Sequence, residues 1–299
     1  MNKKKIKQLL RDITQNSNIS LPSSIDFKIE DGKLIICIAK EGICANMQTD
    51  KSAFESWALC LKAWLHSYFQ EVLIWWDLDL PNKINDKEKW HYERFKYRVC
   101  KFIKTYKWAS ASFDCDSYYN DFREWVLNFP KTKPTEDIKQ GEARLEKDYK
   151  EKHEKDYEGI DRQLPVGVFN GEVKQENSVM PARSSQIDIW AIKNNTLHVF
   201  ELKTPENKKI GIISELMYYV NIMNDVKYHR ITYPSDAAKI THRSFDKLYT
   251  AFKEGKIQHI EGHFLTQELH PLINNKVIDL MNNSDLLKKN SITYLHKIP

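Results

Sequence analysis

The sequence predicts an α/β protein in two parts, and three observations carry that prediction. Apolar residues recur at helical spacing in some stretches and alternate or run continuously in others, so helices and strands interleave along the chain. Seven of the eight tryptophans and all five cysteines precede residue 131. This shift separates an N-terminal α+β part, 1–130, from a C-terminal α/β part, 131–299, expected to hold a mixed sheet flanked by helices. The two join at Phe-Pro-Lys-Thr-Lys-Pro-Thr-Glu-Asp (129–137), whose prolines and polar filling read as a linker. Third, residues 186–203 form a hairpin pattern carrying acids and a lysine at strand spacing.

Composition narrows the function classes. No run of about eighteen apolar residues exists, so no membrane-spanning helix is expected. Met1-Asn2-Lys3-Lys4-Lys5 is basic but lacks the apolar block of a signal peptide, which makes the cytoplasm the expected compartment. Cysteines 37, 44, 60, 100 and 115 are odd in number and show no Cys-x-x-Cys spacing, arguing against a disulfide framework and a structural zinc site. A net charge of +5 permits a polyanionic partner without demanding one.

In the N-terminal part a short helix is expected over 3–15. Asp31-Gly32 then marks a hairpin between 25–30 and 33–38, with Phe27 opposite Ile36 and Ile29 opposite Leu34. A helix over 51–69 follows, with Ser52-x-x-Glu55 as its capping box and Phe54, Trp57, Leu61, Trp64 or Leu65, and Tyr68 as its core stripe. Val72–Trp76 reads as a buried strand. The helix over 88–107 buries Phe95, Val99, Phe102 and Tyr106. Its Arg94, Arg98, Lys101 and Lys104 share a face that could follow a phosphate backbone or simply be solvated.

The C-terminal part opens with a charged helix over 136–156, where Glu142 and Glu146 lie one turn apart. A strand at 164–169 and a polar loop, 170–183, lead into the hairpin. Beyond it come a helix at 207–224, strands at 226–233 and 257–265 around a helix at 243–254, a helix at 276–289, and a final apolar run at 292–295. Glu215 and Tyr219 share a helix face, as a structural pair or a substrate contact. His263 and His270 belong to no metal-type cluster in the sequence and read as structural or solvated.

The hairpin carries the chemistry. Asn194-Asn195 suits a two-residue turn, because asparagine tolerates left-handed backbone. The register that sets Lys193 opposite Thr196 sets Asp188 opposite Glu201, with Lys203 on the same face and Leu202 turned away beside Phe200. At ~5 Å and an effective dielectric of ~20, two carboxylates repel by about 3 kcal/mol. A divalent cation between them is the natural compensation, and carboxylates with room for water suit magnesium. Gln186 shares the strand face of Asp188 and could contact water or phosphate.

A helix bearing a glutamate, a strand, a hairpin with Asp188 and Glu201-Leu202-Lys203, then a helix and a strand: over about 136–265 the chain resembles the PD-(D/E)XK nuclease superfamily. Ile187 stands where that family often has proline, and Glu215-Leu-Met-Tyr-Tyr219 departs from the Gln-x-x-x-Tyr of some branches. The resemblance implies a restriction-endonuclease-like core and magnesium-dependent hydrolysis of nucleic acid, with manganese able to substitute and DNA the expected substrate. It further implies Asp188 and Glu201 as metal ligands, the Leu202 carbonyl as a further ligand, and Lys203 as the group that positions water or stabilises phosphate charge. Glu142, with Glu146 as second choice, would be the helical acid. Defence, restriction or repair would be the setting. The resemblance leaves the aromatic-rich N-terminal part unaccounted for; that part could recognise substrate, form a homodimer or receive a signal. A silent nucleic-acid-binding module on the same fold is the alternative.

Overall fold

A computed structural model describes residues 1–118, 124–132, 141–182 and 185–299. The chain is mixed α/β and divides into two compact units. The first comprises Met1–Ser117, Lys209–Glu215 and Leu269–Leu286; the second comprises Tyr118–Lys208, Leu216–Glu268 and Leu287–Pro299. The units therefore interleave in sequence, unlike the single boundary expected at residue 130. Of the linker expected over 129–137, residues 133–137 lie outside the described residues, as does the 136–140 start of the charged helix.

The first unit holds α1 (Lys3–Thr14), β1 (Ile25–Glu30), β2 (Lys33–Ile38), α2 (Lys40–Ile43), α3 (Phe54–Leu65), β3 (Glu71–Trp75), α4 (Asp86–Thr105) and β4 (Ala109–Ala111). A short helix, α5 (Cys115–Tyr118), follows. The hairpin has the expected register, Phe27 opposite Ile36 and Ile29 opposite Leu34, because the Asp31-Gly32 turn takes positive φ at both residues. β3 and β4 add to β2 in parallel.

Sequence expectations fail in this unit at the start of α3 and at the cysteines. Ser52-x-x-Glu55 does not cap α3: the helix starts after Ala53 without a side-chain cap, and Glu55 is drawn into an ion pair with Arg98. The capping box belongs instead to α4, between Asn85 and Glu88. A disulfide joins Cys100 to Cys115, where sequence spacing argued against any. The chain turns back through β4 between the two cysteines, a contact that their 15-residue separation does not announce.

The second unit contains β5 (Trp125–Leu127), α6 (Glu142–His153), β6 (Gly159–Pro165), β7 (Val168–Asn170), β8 (Gln186–Lys193) and β9 (Thr196–Leu202). It continues with α7 (Ile212–Lys227), whose first turn belongs to the first unit, α8 (Phe245–Lys253) and β10 (His259–Leu265). The chain then passes through α9 (Asn275–Asn282) and α10 (Asp285–Asn290) to β11 (Ile292–Lys297). The expected strand over 226–233 is absent: α7 runs on to Lys227, and only Thr232 makes a bridge, to Val126.

Five strands form the sheet in the order β11-β10-β9-β8-β6. β6, β8 and β9 are antiparallel, while β10 and β11 are parallel to β9. On one face Tyr149 of α6 packs on Ile160, Ile189, Ala191, Phe200, Leu202 and Leu265. On the other face α7 comes so close that a Cβ on Gly262 would lie 2.9 Å from Val220 and from Tyr294. Helices thus cover both faces of a mixed sheet, and alternation along β9 assigns Phe200 to the α6 side and Glu201 to the other.

Candidate functional site

The β8–β9 hairpin turns at Asn194 and Asn195, with φ of 50° and 59°. Its ladder keeps the expected register from Lys193–Thr196 to Ile189–Phe200 and ends there. Asp188 and Glu201 are the first positions beyond it. The Asp188 carboxylate turns to accept the Leu202 amide at 2.8 Å, supplying the bond that the ladder no longer gives.

β6 leaves the ladder at the same level. Arg162 pairs with Ile189 and Leu164 with Ile187, but Gln163, which faces Asp188 by count, is unpaired and adopts φ 51°. A left-handed glutamine inside a strand is strained. Arg243 donates to the carbonyls of Arg162 and Gln163, holding this distortion. Asp188 therefore sits where β8 loses pairing on both sides.

Glu201, opposite Asp188 in the register, and Lys203, just past the end of β9, pair with each other. Glu201 is fully buried, Lys203 is 5 % exposed, and the Lys203 ammonium donates to Glu201 Oε1. The repulsion expected between Asp188 and Glu201 is thus relieved within the chain, by an amide and an ammonium. Of the two helical candidates, Glu146 is the buried one. It lies 3.7 Å from Arg162 and interacts with Gln163, Lys203 and Glu142. Burial raises its pKa, opposed by the Arg162 charge and the Gln163 hydrogen bond. Glu142, half-buried at the start of α6, accepts from Asn207 at 3.0 Å. Gln186 is half-buried and pairs with Pro165 at the start of β8, two residues before Asp188.

The basic face of α4 is turned inward, which corrects the expectation of an open phosphate track. Arg94, Arg98 and Lys101 are all buried. Arg98 donates to both oxygens of Glu55, at 2.8 and 2.5 Å, and the two side chains are each 2 % exposed. Arg94 reaches His91 and the Ala45 carbonyl, and the Lys101 ammonium lies over the Tyr97 ring. Lys104 alone is exposed, 3.4 Å from Asp116. Helical spacing identifies a shared face but not whether that face meets solvent or a buried carboxylate.

Sequence reasoning missed two features. Gln163 gave no signal, since strain in a strand appears only once its neighbours are paired. His263, read as structural or solvated, lies in a His198–Glu261–His263 cluster whose ligand atoms all fall within 4.8 Å of one another. Alternation on β9 and β10 could have placed these side chains on one face, but the pairing of two strands about sixty residues apart was not legible. His270 is structural, its Nδ1 accepting the Leu272 amide. Glu215 and Tyr219 are both buried. Among the described residues no helix is long and apolar enough to cross a membrane. No family model, curated protein or solved structure matches this chain.

Proposed function

We propose that the chain is a metal-dependent nuclease that hydrolyses phosphodiester bonds, with DNA as its substrate, in defence, restriction or repair. The convergence of Asp188, Glu201 and Lys203 where β8 and β9 part carries this reading. The order of elements supports it: α6, β6, β8, β9, α7 and β10 repeat the helix–strand–hairpin–helix–strand succession of a restriction-endonuclease-like core.

The donors fit magnesium. Asp188, Glu201, the Leu202 carbonyl and a helical acid, Glu146 or Glu142, offer the hard oxygens that this ion takes. Glu146 Oε2 is buried without a hydrogen bond among the described residues, 3.7 Å from Arg162, and would exchange that contact for the ion. Magnesium at these ligands would supply Lewis-acid polarisation of a phosphoryl oxygen and a more acidic bound water. Asp188 would give its carboxylate charge to the ion while its Oδ2 keeps Leu202 in place. Lys203 would shift from Glu201 to the substrate, where an ammonium stabilises charge developing on phosphate.

The closed Lys203–Glu201 pair gives the second reading its footing, a nucleic-acid-binding module without cleavage, because the ammonium occupies an oxygen that an ion would take. Incubation of the purified chain with labelled DNA and RNA, with magnesium or manganese and with chelator, separates the two. The nuclease reading expects metal-dependent cleavage; binding without cleavage in either metal sinks it.

A further inference from the structure

We propose that His198, Glu261 and His263 form a second metal site, for a zinc-class transition ion, on the α6 side of the sheet and separate from the Asp188 site. His198 and Glu261 are paired neighbours on the parallel strands β9 and β10, and His263 follows Glu261 by two residues, so all three project from one sheet face. His198 Nδ1 lies 3.1 Å from Glu261 Oε2 and 3.1 Å from His263 Nε2, and His263 Nε2 lies 3.3 Å from Glu261 Oε2.

Hydrogen bonding alone does not account for this triangle. A ring nitrogen either donates or accepts, never both. With Glu261 ionised, two donating nitrogens leave an unfavourable nitrogen–nitrogen side. One donating nitrogen leaves a bare nitrogen against a carboxylate. While Glu261 is ionised, one side is therefore repulsive in every arrangement of the ring protons. His263 Nδ1, moreover, is buried with no hydrogen-bond partner among the described residues.

A central cation removes the conflict. Zinc binds imidazole nitrogen and carboxylate oxygen at ~2.0–2.2 Å, and a tetrahedron of that size has ligand–ligand edges of about 3.3–3.6 Å. The observed sides are at or just below this range, so little movement is needed. Two imidazoles and one carboxylate favour a borderline ion over magnesium or calcium, which take oxygen. His198 and His263 are nearly covered, whereas Glu261 is one-third exposed and leaves a side for entry and for a water as fourth ligand. The His263 ring stacks on Phe200 at 4.6 Å, and Tyr157 meets His198 edge-on at 5.4 Å, which fixes the two ring planes. Lys297, whose ammonium lies 5.6 Å from the Phe200 ring, is the nearby opposing charge. An ion here would clamp β9 to β10.

Cobalt(II) tests the proposal, because a four-coordinate nitrogen–oxygen site gives strong visible d–d bands that zinc then bleaches. The full chain should bind one equivalent with such bands. Glu261→Gln, His198→Ala and His263→Ala should each weaken binding at least about a hundredfold, the upper range for lost supporting groups. Asp188→Asn should leave the bands intact, and Lys297→Met should tighten binding. Absence of the bands in the parent chain, or their survival in both histidine variants, overturns the site. Should the histidine variants not fold, X-ray absorption of the parent's zinc adduct decides. A shell with two imidazoles supports the site; a thiolate shell from Cys37, Cys44 or Cys60, or an oxygen-only shell, contradicts it.

Discussion

Asp188 accepts the backbone amide of Leu202 at 2.8 Å, so the acid proposed as a metal ligand also finishes the β8–β9 pairing. The fold requires an acceptor oxygen of this side chain, and the proposed metal site requires its negative charge. This division makes the two roles separable by mutation. Asp188→Asn keeps an acceptor for the amide and loses the charge. Asp188→Ala leaves the amide unmet, which costs about 1–3 kcal/mol. Denaturant unfolding should show the alanine variant less stable than the asparagine variant by that margin, while both lose magnesium binding.

Lys203 and Glu201 form a buried pair, and removing one partner of such a pair typically costs ~3–5 kcal/mol. Lys203→Met should therefore be destabilised. If an ion binds at Glu201, magnesium should restore more stability to Lys203→Met than it adds to the parent chain, because the ion takes over the charge the ammonium balanced. Thermal melts with and without magnesium measure the difference.

In the first unit, Arg98→Ala should cost a similar ~3–5 kcal/mol, since Glu55 would keep a buried charge with hydroxyl support from Ser214 at 2.7 Å in place of the guanidinium. Replacing both Arg98 and Glu55 by methionine and leucine should cost less than Arg98→Ala alone. A double-mutant cycle in denaturant reads both values.

Much of this architecture was legible in the sequence, and the gaps have physical causes. The Asp31-Gly32 and Asn194-Asn195 turns are local, so their hairpins and registers could be read from a few residues. The Asp188, Glu201 and Lys203 constellation followed from the second of these. Arg98 was misplaced because its partner, Glu55, is 43 residues away. Gln163 and the His198–Glu261–His263 triangle depend on how distant strands pair, which period-two alternation alone does not specify. Glu142 and Glu146 were separated only by which side of α6 is buried.

Gln163→Gly and Gln163→Val both lose the side-chain hydrogen bond to Glu146, but glycine adopts φ near 51° freely, so the glycine variant should be the more stable of the two. Gln163→Val should cost about 1–3 kcal/mol, as a β-branched residue resists that backbone. Equal stabilities for the two variants would mean that the left-handed conformation is not held in solution.

Glu146 gives a pH signature. Its folded pKa is raised above the ordinary 4.5 by burial. The folded state therefore holds the proton more tightly than the unfolded state, and this contribution is fully present below pH 4.5 and lost as pH rises through the raised value. Glu146→Gln should remove that loss, so its stability relative to the parent should improve from acid toward neutral pH. A pH series of unfolding midpoints checks the slope.

Asp188→Asn asks whether Asp188 and Glu201 hold an ion for phosphodiester hydrolysis without disturbing the fold, because asparagine keeps an acceptor for the Leu202 amide. Single-turnover cleavage of labelled DNA in magnesium should proceed with the parent chain and fall by at least about a hundredfold in the variant, of the order expected for losing one electrostatic catalytic contact, at unchanged stability. Equal cleavage by the two proteins, or no cleavage by the parent chain in magnesium or manganese, would contradict the account.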